Sequence, residues 1–394
     1  MKNFLKYIAI IEIVLLSGAA RMLSSYFPVG PLHMVFTLVA ILFFVIQKGK
    51  IQQSSFMLML AICTWIYSDQ HFFHGSADNL YVTYILTYVS CFFIISAFRF
   101  EDFKYRLLKV LQWLCFFSII VQFLYNKNMI AGYYSPVSSL TLSAYFFNTG
   151  WGSVESPRLS SIFWEPGQFQ IVLNSLLILC SNDIIDLVKN KMFMKLVRKY
   201  GIIVLSLLLT MSTTGYMVFA LICFYIALNS IDKRHFLSGF ISGILMLVAM
   251  YALFQSNTVQ EKFNEGSDVY GSYEIRLADN LGLLQMMQDR PLIGYGIGTQ
   301  DYKARALALD NETSSNGWLN SGAQLGIVFA VVLLISVTVG IRRLDKRFIG
   351  LILFVAILMA QSNEAAYYLA PLNLFIFPFK FSFHKRNKND IETV

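Results

Sequence analysis

Apolar runs long enough to cross a bilayer recur along this chain from Phe4 to Phe381, parted by mostly short polar segments. A hydrocarbon core of about 30 Å takes roughly 20 apolar residues per helical crossing. Each unpaired backbone N–H or C=O costs several kcal/mol in lipid, so crossings are helices or a closed barrel. The runs lack the period-two alternation of barrel strands, which leaves helices. The fold class is therefore all-α, a polytopic transmembrane helical bundle.

Hydropathy predicts about twelve spans. The first six are Phe4 to Ala20, Pro31 to Ile46, Ser54 to Tyr67, Leu80 to Phe98, Leu107 to Tyr125 and Pro166 to Cys180. The others are Gly201 to Met211, Gly215 to Ser230, Phe236 to Gln255, Gly317 to Gly340, Phe348 to Gln361 and Ala365 to Phe381. The stretch Gly201 to Ser230 reads either as one helix interrupted at Ser212-Thr213-Thr214-Gly215 or as two short ones. Charge decides between them. Lys189, Lys191, Lys195, Arg198 and Lys199 precede it, and Lys233 and Arg234 follow. Positive residues collect on the cytoplasmic side, so an even number of crossings separates these flanks. With twelve crossings the cytoplasmic segments hold 23 of the 31 lysines and arginines, and both termini are cytoplasmic. One missed crossing would invert every later loop and erase that bias.

Composition agrees with lipid as the solvent, since only 14% of the residues are charged, against about 25% in soluble domains. The net charge of +8 is dispersed over many short loops, which argues against a nucleic-acid partner. Cys63, Cys91, Cys115, Cys180 and Cys223 all fall inside apolar runs and imply neither a disulfide framework nor a metal site. The first run carries no small-residue cleavage site and reads as a retained span. Within it, Glu12 is expected to face the bundle interior and Lys6 to snorkel.

The chain reads as one integral membrane domain over residues 1–394, with long outer loops at 126–165 and 256–316. Loops of that length in a compact protein are usually functional or disordered. In the second, Tyr273 to Gln288 reads as an interfacial amphipathic helix, so this large loop is partly helical. No internal repeat is evident.

Several segments could carry chemistry. In Arg158-Leu159-Ser160-Ser161-Ile162-Phe163-Trp164-Glu165-Pro166-Gly167 the outer loop re-enters the membrane at a helix start. Its free N–H donors, with Arg158, suit a phosphate group. The plain alternative is an interfacial arginine and a capping carboxylate at Glu165. In the large loop Arg276 precedes Asp289-Arg290-Pro291-Leu292-Ile293-Gly294-Tyr295-Gly296-Ile297-Gly298. Glycines at alternate positions permit close backbone approach to a ligand, although a flexible loop reads equally well. This pattern follows no strand, which excludes a dinucleotide fingerprint. Ser314-Ser315-Asn316-Gly317-Trp318-Leu319-Asn320, with Gln324, either lines a cavity or caps a helix. His71 and His74, near Asp69 and Asp78, have i, i+3 spacing but no third firm ligand, so no metal is expected.

Taken in order, these pieces resemble the O-antigen polymerase and ligase superfamily of bacterial surface-polysaccharide assembly. The resemblance rests on Arg158 to Gly167, Ser212 to Gly215, and the large loop with Arg276, Asp289 to Gly296 and Ser315-Asn316. It implies a glycosyltransferase of the inner membrane that joins repeat units carried on undecaprenyl diphosphate, without a cofactor. Arg158, Arg276 and Arg290 would then hold the lipid-linked diphosphate, as bidentate cations suited to phosphate. Glu165 or another outer carboxylate would assist the attacking hydroxyl, and Gly294, Gly296 and Asn316 would contact substrate. Ligases usually show a histidine just before that asparagine, and Ser315 stands there, which favours the polymerase branch. A chain-length regulator and a flippase are the protein partners the resemblance suggests. A flippase would itself be the reading from another class, but such folds usually show two similar halves, and only the second half here holds a large outer loop.

Overall fold

The computed structural model describes residues 2–19, 28–74, 79–130, 133–134, 141–144, 147–151, 154–155, 158–230, 271–309, 316–362 and 367–379. Among them, five helices are long and apolar enough to cross a membrane: Val29–Ile46, Leu80–Ala97, Phe100–Asn126, Thr213–Ser230 and Ile327–Leu344. A sixth crossing arises if Pro166–Leu179 and Ser181–Lys189, bent by 57°, count as one. Outward faces are apolar. On Val29–Ile46, Val35, Leu38, Leu42 and Val45 are each more than half exposed and follow one another at steps of three and four, the stripe a helix turns toward lipid. The chain is thus a helical membrane protein.

Twelve crossings are not reached among the described residues, for identifiable reasons. Lys2–Val14 stops at a π turn, Leu15–Ala19, where Gly18 adopts φ +111°. Gln53–Ser68 and Phe193–Leu209 have 16 and 17 residues, and Leu351–Gln361 and Ala370–Ile376 have 11 and 7. At about 1.5 Å per residue the last two are far too short to span alone. The expected ninth span, Phe236 to Gln255, lies outside the described residues. The expected tenth is two helices, Gly317–Leu325 and Ile327–Leu344, parted at Gly326 (φ +87°). A Cβ at Gly326 would collide with the Leu292 carbonyl, so only glycine admits this approach of the large loop. The stretch Gly201 to Ser230 is broken into two helices, Phe193–Leu209 and Thr213–Ser230, of which only the second is long and apolar enough to cross.

The fold is helical, as expected, with one local addition. Segment 126–165 holds a four-stranded antiparallel meander, β1 (Tyr133–Tyr134), β2 (Thr141–Ala144), β3 (Phe147–Trp151) and β4 (Val154–Glu155), with a register shift at Leu142/Ser143. Aromatic and β-branched residues at Tyr133, Tyr134, Thr141, Phe147, Trp151 and Val154 favour strands once no span competes for them. Segment 256–316 is partly helical, with Gly271–Asp289 and Gln300–Ala308. In the first of these Leu283 and Met286 are buried while Leu277, Leu281 and Leu284 are exposed, an amphipathic division.

The main core is an apolar cluster rich in aromatic side chains, among them Tyr88, Phe92, Phe98, Phe103, Phe163, Phe169, Phe329 and Tyr367, and a smaller one gathers Leu283, Met286, Tyr295, Ala306 and Ala323. Tyr84 stacks on Tyr368 at 3.7 Å. Glu12 faces the interior as expected, and all five cysteines are free. Lys6 is held in an ion pair with Asp102 at 2.7 Å instead of merely snorkelling. Lys104 and Lys199 share Asp183 at 2.8 and 3.4 Å, and Tyr225 donates to Asp345 at 2.8 Å. Each of these contacts joins segments that the charge pattern assigns to one side. The same holds for the other side, where Trp65 Nε1 donates to the Leu325 carbonyl at 3.0 Å and Ile297 N–H to Gln70 at 2.9 Å.

Candidate functional site

The re-entry segment and the Ser-Thr-Thr-Gly break, remote in sequence, meet directly. Arg158 Nε donates to the Thr210 carbonyl at 3.2 Å, and Leu159 N–H to the Leu209 carbonyl at 2.9 Å. These bonds satisfy carbonyls at a helix end that has no further turn of its own. Ser161, at φ +59°, turns the chain inward and accepts from Ser118 at 2.7 Å. Phe163 is fully buried and stacks on Phe169, which fixes the entry into Pro166–Leu179. Proline opens that helix, as its fixed φ and missing N–H suit. Glu165 precedes it in extended conformation, yet its carboxylate makes no cap. The capping alternative for Glu165 is therefore corrected, and the half-buried side chain is not committed to its own helix.

Two residues that the sequence reading missed hold this region together. Gln170 and Asn174 are fully buried one turn apart inside the apolar run. Asn174 Nδ2 donates to Gln170 Oε1 at 2.9 Å and to the Gly215 carbonyl at 3.2 Å. Gly215 lies against the Gln170 side chain, where an added Cβ would be tight. Amides at i, i+4 within an apolar span were the available signal, since polar groups at that depth face a protein partner.

The large loop forms the second part. Arg276 sits half-buried on Gly271–Asp289. Arg290 follows that helix's last turn, its N–H donating to Met286 at 3.1 Å. Fourteen residues of helix make nearly four turns, so the two arginines share a face about 21 Å apart along the axis. Arg290 is braced: its guanidinium stacks over Tyr295 at 4.3 Å and reaches Asp301 at 3.3 Å. Beside it Arg305 pairs with Asp289 at 2.6 Å, and Asp289 also receives the Tyr295 hydroxyl at 3.3 Å.

The glycine run clamps onto protein. Gly294, Gly296 and Gly298 all have positive φ. Tyr295 and Gly296 N–H donate to the Ala323 and Gln324 carbonyls at 2.9 and 2.8 Å, strapping the loop to the end of Gly317–Leu325. A Cβ at Gly294 would meet the Gln324 backbone, and one at Gly296 the His74 ring. The close approach these glycines permit is thus made to the protein's own backbone. Asn316 caps Gly317–Leu325, its Oδ1 accepting from Trp318 and Leu319 N–H at 3.1 and 3.2 Å. Ser315 lies outside the described residues.

Beneath the strap is a buried carboxyl and imidazole. Asp69 and His74, just past the third span, approach to 3.6 Å, with side chains 3% and 2% exposed. Neither Asp69 oxygen has a hydrogen-bond partner among the described residues. Burial pushes the Asp69 carboxyl up to about 7. Burial also lowers the His74 imidazole, an effect opposed by the Ile293 carbonyl and reinforced by Arg290. Both shifts favour the uncharged pair. His71 instead turns outward and stacks on Tyr67, and Asp78 lies outside the described residues. No group of three or more His, Cys, Asp or Glu side chains suited to a metal occurs among the described residues.

The two parts connect through residues 367–369. Tyr367 donates to Gln324 Oε1 at 2.6 Å, while Leu369 and Gln168 flank the Gly18 turn. The strap, the half-helix and the re-entry segment therefore lean on shared neighbours.

No match was found among the curated proteins or the solved structures. Residues 200–328 match a family model described as O-antigen ligase. That segment contains the Ser-Thr-Thr-Gly break, Arg276, Arg290, the glycine strap and Asn316, and leaves Arg158 and Glu165 outside. Over that third of its length the chain is similar to the O-antigen ligase family, which supports the resemblance to the ligase and polymerase superfamily of glycosyltransferase-like membrane enzymes.

Proposed function

We propose that this protein polymerises undecaprenyl-diphosphate-linked oligosaccharide repeat units on the outer face of a bacterial inner membrane, crossing it about twelve times with both termini cytoplasmic. The observation that carries the reading is the set of arginines on loops assigned to the outer side, within and beside the family match. In the reaction an acceptor sugar hydroxyl attacks the anomeric carbon of the donor. The C–O bond to the lipid diphosphate breaks, the diphosphate leaves with the electron pair, and the hydroxyl proton passes to a base. Most of the catalysis is then orientation and neutralisation of the departing phosphate.

Arg158 and Arg276 suit the leaving diphosphate as bidentate, permanently charged donors. Arg290, about 21 Å from Arg276 along one helix, addresses a separate phosphate. A reaction between two lipid-linked units supplies one, since each unit brings its own diphosphate. Glu165, uncommitted to its helix, and Asp69, with its carboxyl raised to about 7, are the carboxylates suited to take the proton. Gly294 and Gly296 let the strap close on the Gln324 backbone and so shape the substrate-facing surface beside Arg290, and Asn316 fixes the half-helix under it. A chain-length regulator and a flippase are the partners proposed.

The family description does not separate polymerase from ligase, so the second reading to set against ours is transfer of finished glycan onto lipid A core. A transfer assay separates the two. Purified protein given labelled donor and a second lipid-linked repeat unit lengthens the glycan if it is a polymerase. If only lipid A core accepts, the ligase reading replaces ours.

A further inference from the structure

A groove of about 980 Å³ opens sideways between the first half of Phe100–Asn126 and the pair Ser181–Lys189 and Phe193–Leu209, remote from the strap and the re-entry segment. One wall is apolar and outward-facing: Tyr105, Trp113 and Phe116 are each about half exposed or more. The rim is basic, with Lys109, Lys195, Arg198 and Lys199 against the carboxylates Asp183 and Asp186. Asp183 is already neutralised by Lys104 at 2.8 Å and Lys199 at 3.4 Å. Lys109, Lys195 and Arg198 make no ion pair among the described residues. The floor is held by Gln112, which donates to the Lys199 carbonyl at 2.7 Å. The groove sits where the apolar helix Pro166–Leu179 ends and the chain bends by 57° into the amphipathic Ser181–Lys189. An apolar helix giving way to an amphipathic one marks a headgroup level, and the charge pattern assigns this end to the cytoplasmic leaflet.

We infer that this groove binds one anionic phospholipid, its phosphate on Lys109, Lys195 and Arg198 and an acyl chain along Trp113 and Phe116. Cations at the edge of an apolar groove match an amphiphile with a negative head. A basic pocket between helices on the positive side of the protein meets the leaflet that carries anionic lipid. Each lysine or arginine near such a headgroup contributes on the order of 1 kcal/mol, so several give selectivity over a zwitterionic lipid. The inference goes beyond the polymerase reading and does not depend on it.

Native mass spectrometry of the full-length protein in detergent, supplied with phosphatidylglycerol or phosphatidylcholine of identical acyl chains, tests it. The expected result is one phosphatidylglycerol retained at least about ten-fold better than phosphatidylcholine, a preference lost in Lys195→Gln/Arg198→Gln. Brominated phosphatidylglycerol should also quench the emission that Trp113→Phe removes. If the double variant is not recovered folded, Lys109→Gln on the opposite wall must lower the preference in its place. Equal retention of the two lipids, an unchanged preference in the variant that folds, or Trp113 shielded from both brominated lipids by a second protein copy would each overturn the proposal.

Discussion

The guanidinium of Arg158 donates from Nε to the main-chain carbonyl of Thr210 at 3.2 Å, joining the re-entry segment to a helix break 52 residues later. Thr210 lies in the break before the helix Thr213–Ser230, whose Gly215 carbonyl is held by Asn174 from the helix that Arg158 leads into. Arg158 is therefore oriented by main chain, and its position depends on the fork geometry of arginine. Lysine has no Nε–H donor at that place on its stem.

Arg158→Lys should consequently lose at least about ten-fold in polymer formed, while protein level stays normal and the single lipid-linked repeat unit accumulates. Gel analysis of surface polysaccharide with mass spectrometry of extracted glycolipid checks both halves. Full polymer from the lysine variant would show that charge alone suffices.

Gly326→Ala should destabilise the folded protein by more than about 1 kcal/mol, because φ is positive there and the new Cβ meets the Leu292 carbonyl. Gly30→Ala is the matched control, with nothing within 4 Å of its added Cβ. Thermal unfolding in detergent should separate the pair, and equal melting would contradict the packing described at the helix break.

Asn316→Ala should cost about 1 kcal/mol through loss of the cap, and Asn316→Asp should keep it, since a carboxylate accepts the same two N–H bonds. Transfer activity then separates capping from substrate contact. Asp restores the melting temperature in either case, but restores activity only if capping is the whole role.

Helix existence was legible from the sequence because apolar runs leave lipid-facing backbone no other option. Helix ends and breaks were not. Gly326 reads as one small residue inside the apolar run Gly317 to Gly340, and only the Leu292 carbonyl pressed against it shows why the helix stops. The strand-forming aromatic residues of 133–155 carried a signal that the span pattern overshadowed. At the site, Arg290 and the glycines were found by composition, but their engagement with Asp301, Tyr295 and the Gln324 backbone depends on residues distant in sequence. His71 and His74, near Asp69 and Asp78, stood out for their local spacing, with no metal expected. The pairing of Asp69 with His74 beneath the strap came from tertiary packing, as did the separation of His71 from His74.

Asp69 gives a pH dependence of definite sign. Its carboxyl titrates near 3.8 when free and is raised to about 7 by burial, with His74, Arg290 and Asp301 the ionisable neighbours linked to the pair. A raised acid contributes stability in full below pH 4, and that contribution declines as pH rises to 7. Asp69→Asn should therefore melt higher than wild type at pH 8, by up to ~4 kcal/mol, and match it at pH 4. Melting curves at the two pH values check this, and a pH-independent difference would contradict it. If Asp69 is also the proton acceptor, transfer rate in the wild type rises toward pH 7 and the variant loses that rise.

The claim on which the rest depends is that guanidinium groups of the outer loops act on lipid-linked diphosphate. It is tested most directly by extracting lipid-linked glycans from cells whose sole copy is Arg276→Ala, expressed at the wild-type level. The account predicts one completed repeat unit on undecaprenyl diphosphate and no longer glycan. Long glycan still attached to that lipid, or normal polymer at the surface, would contradict it.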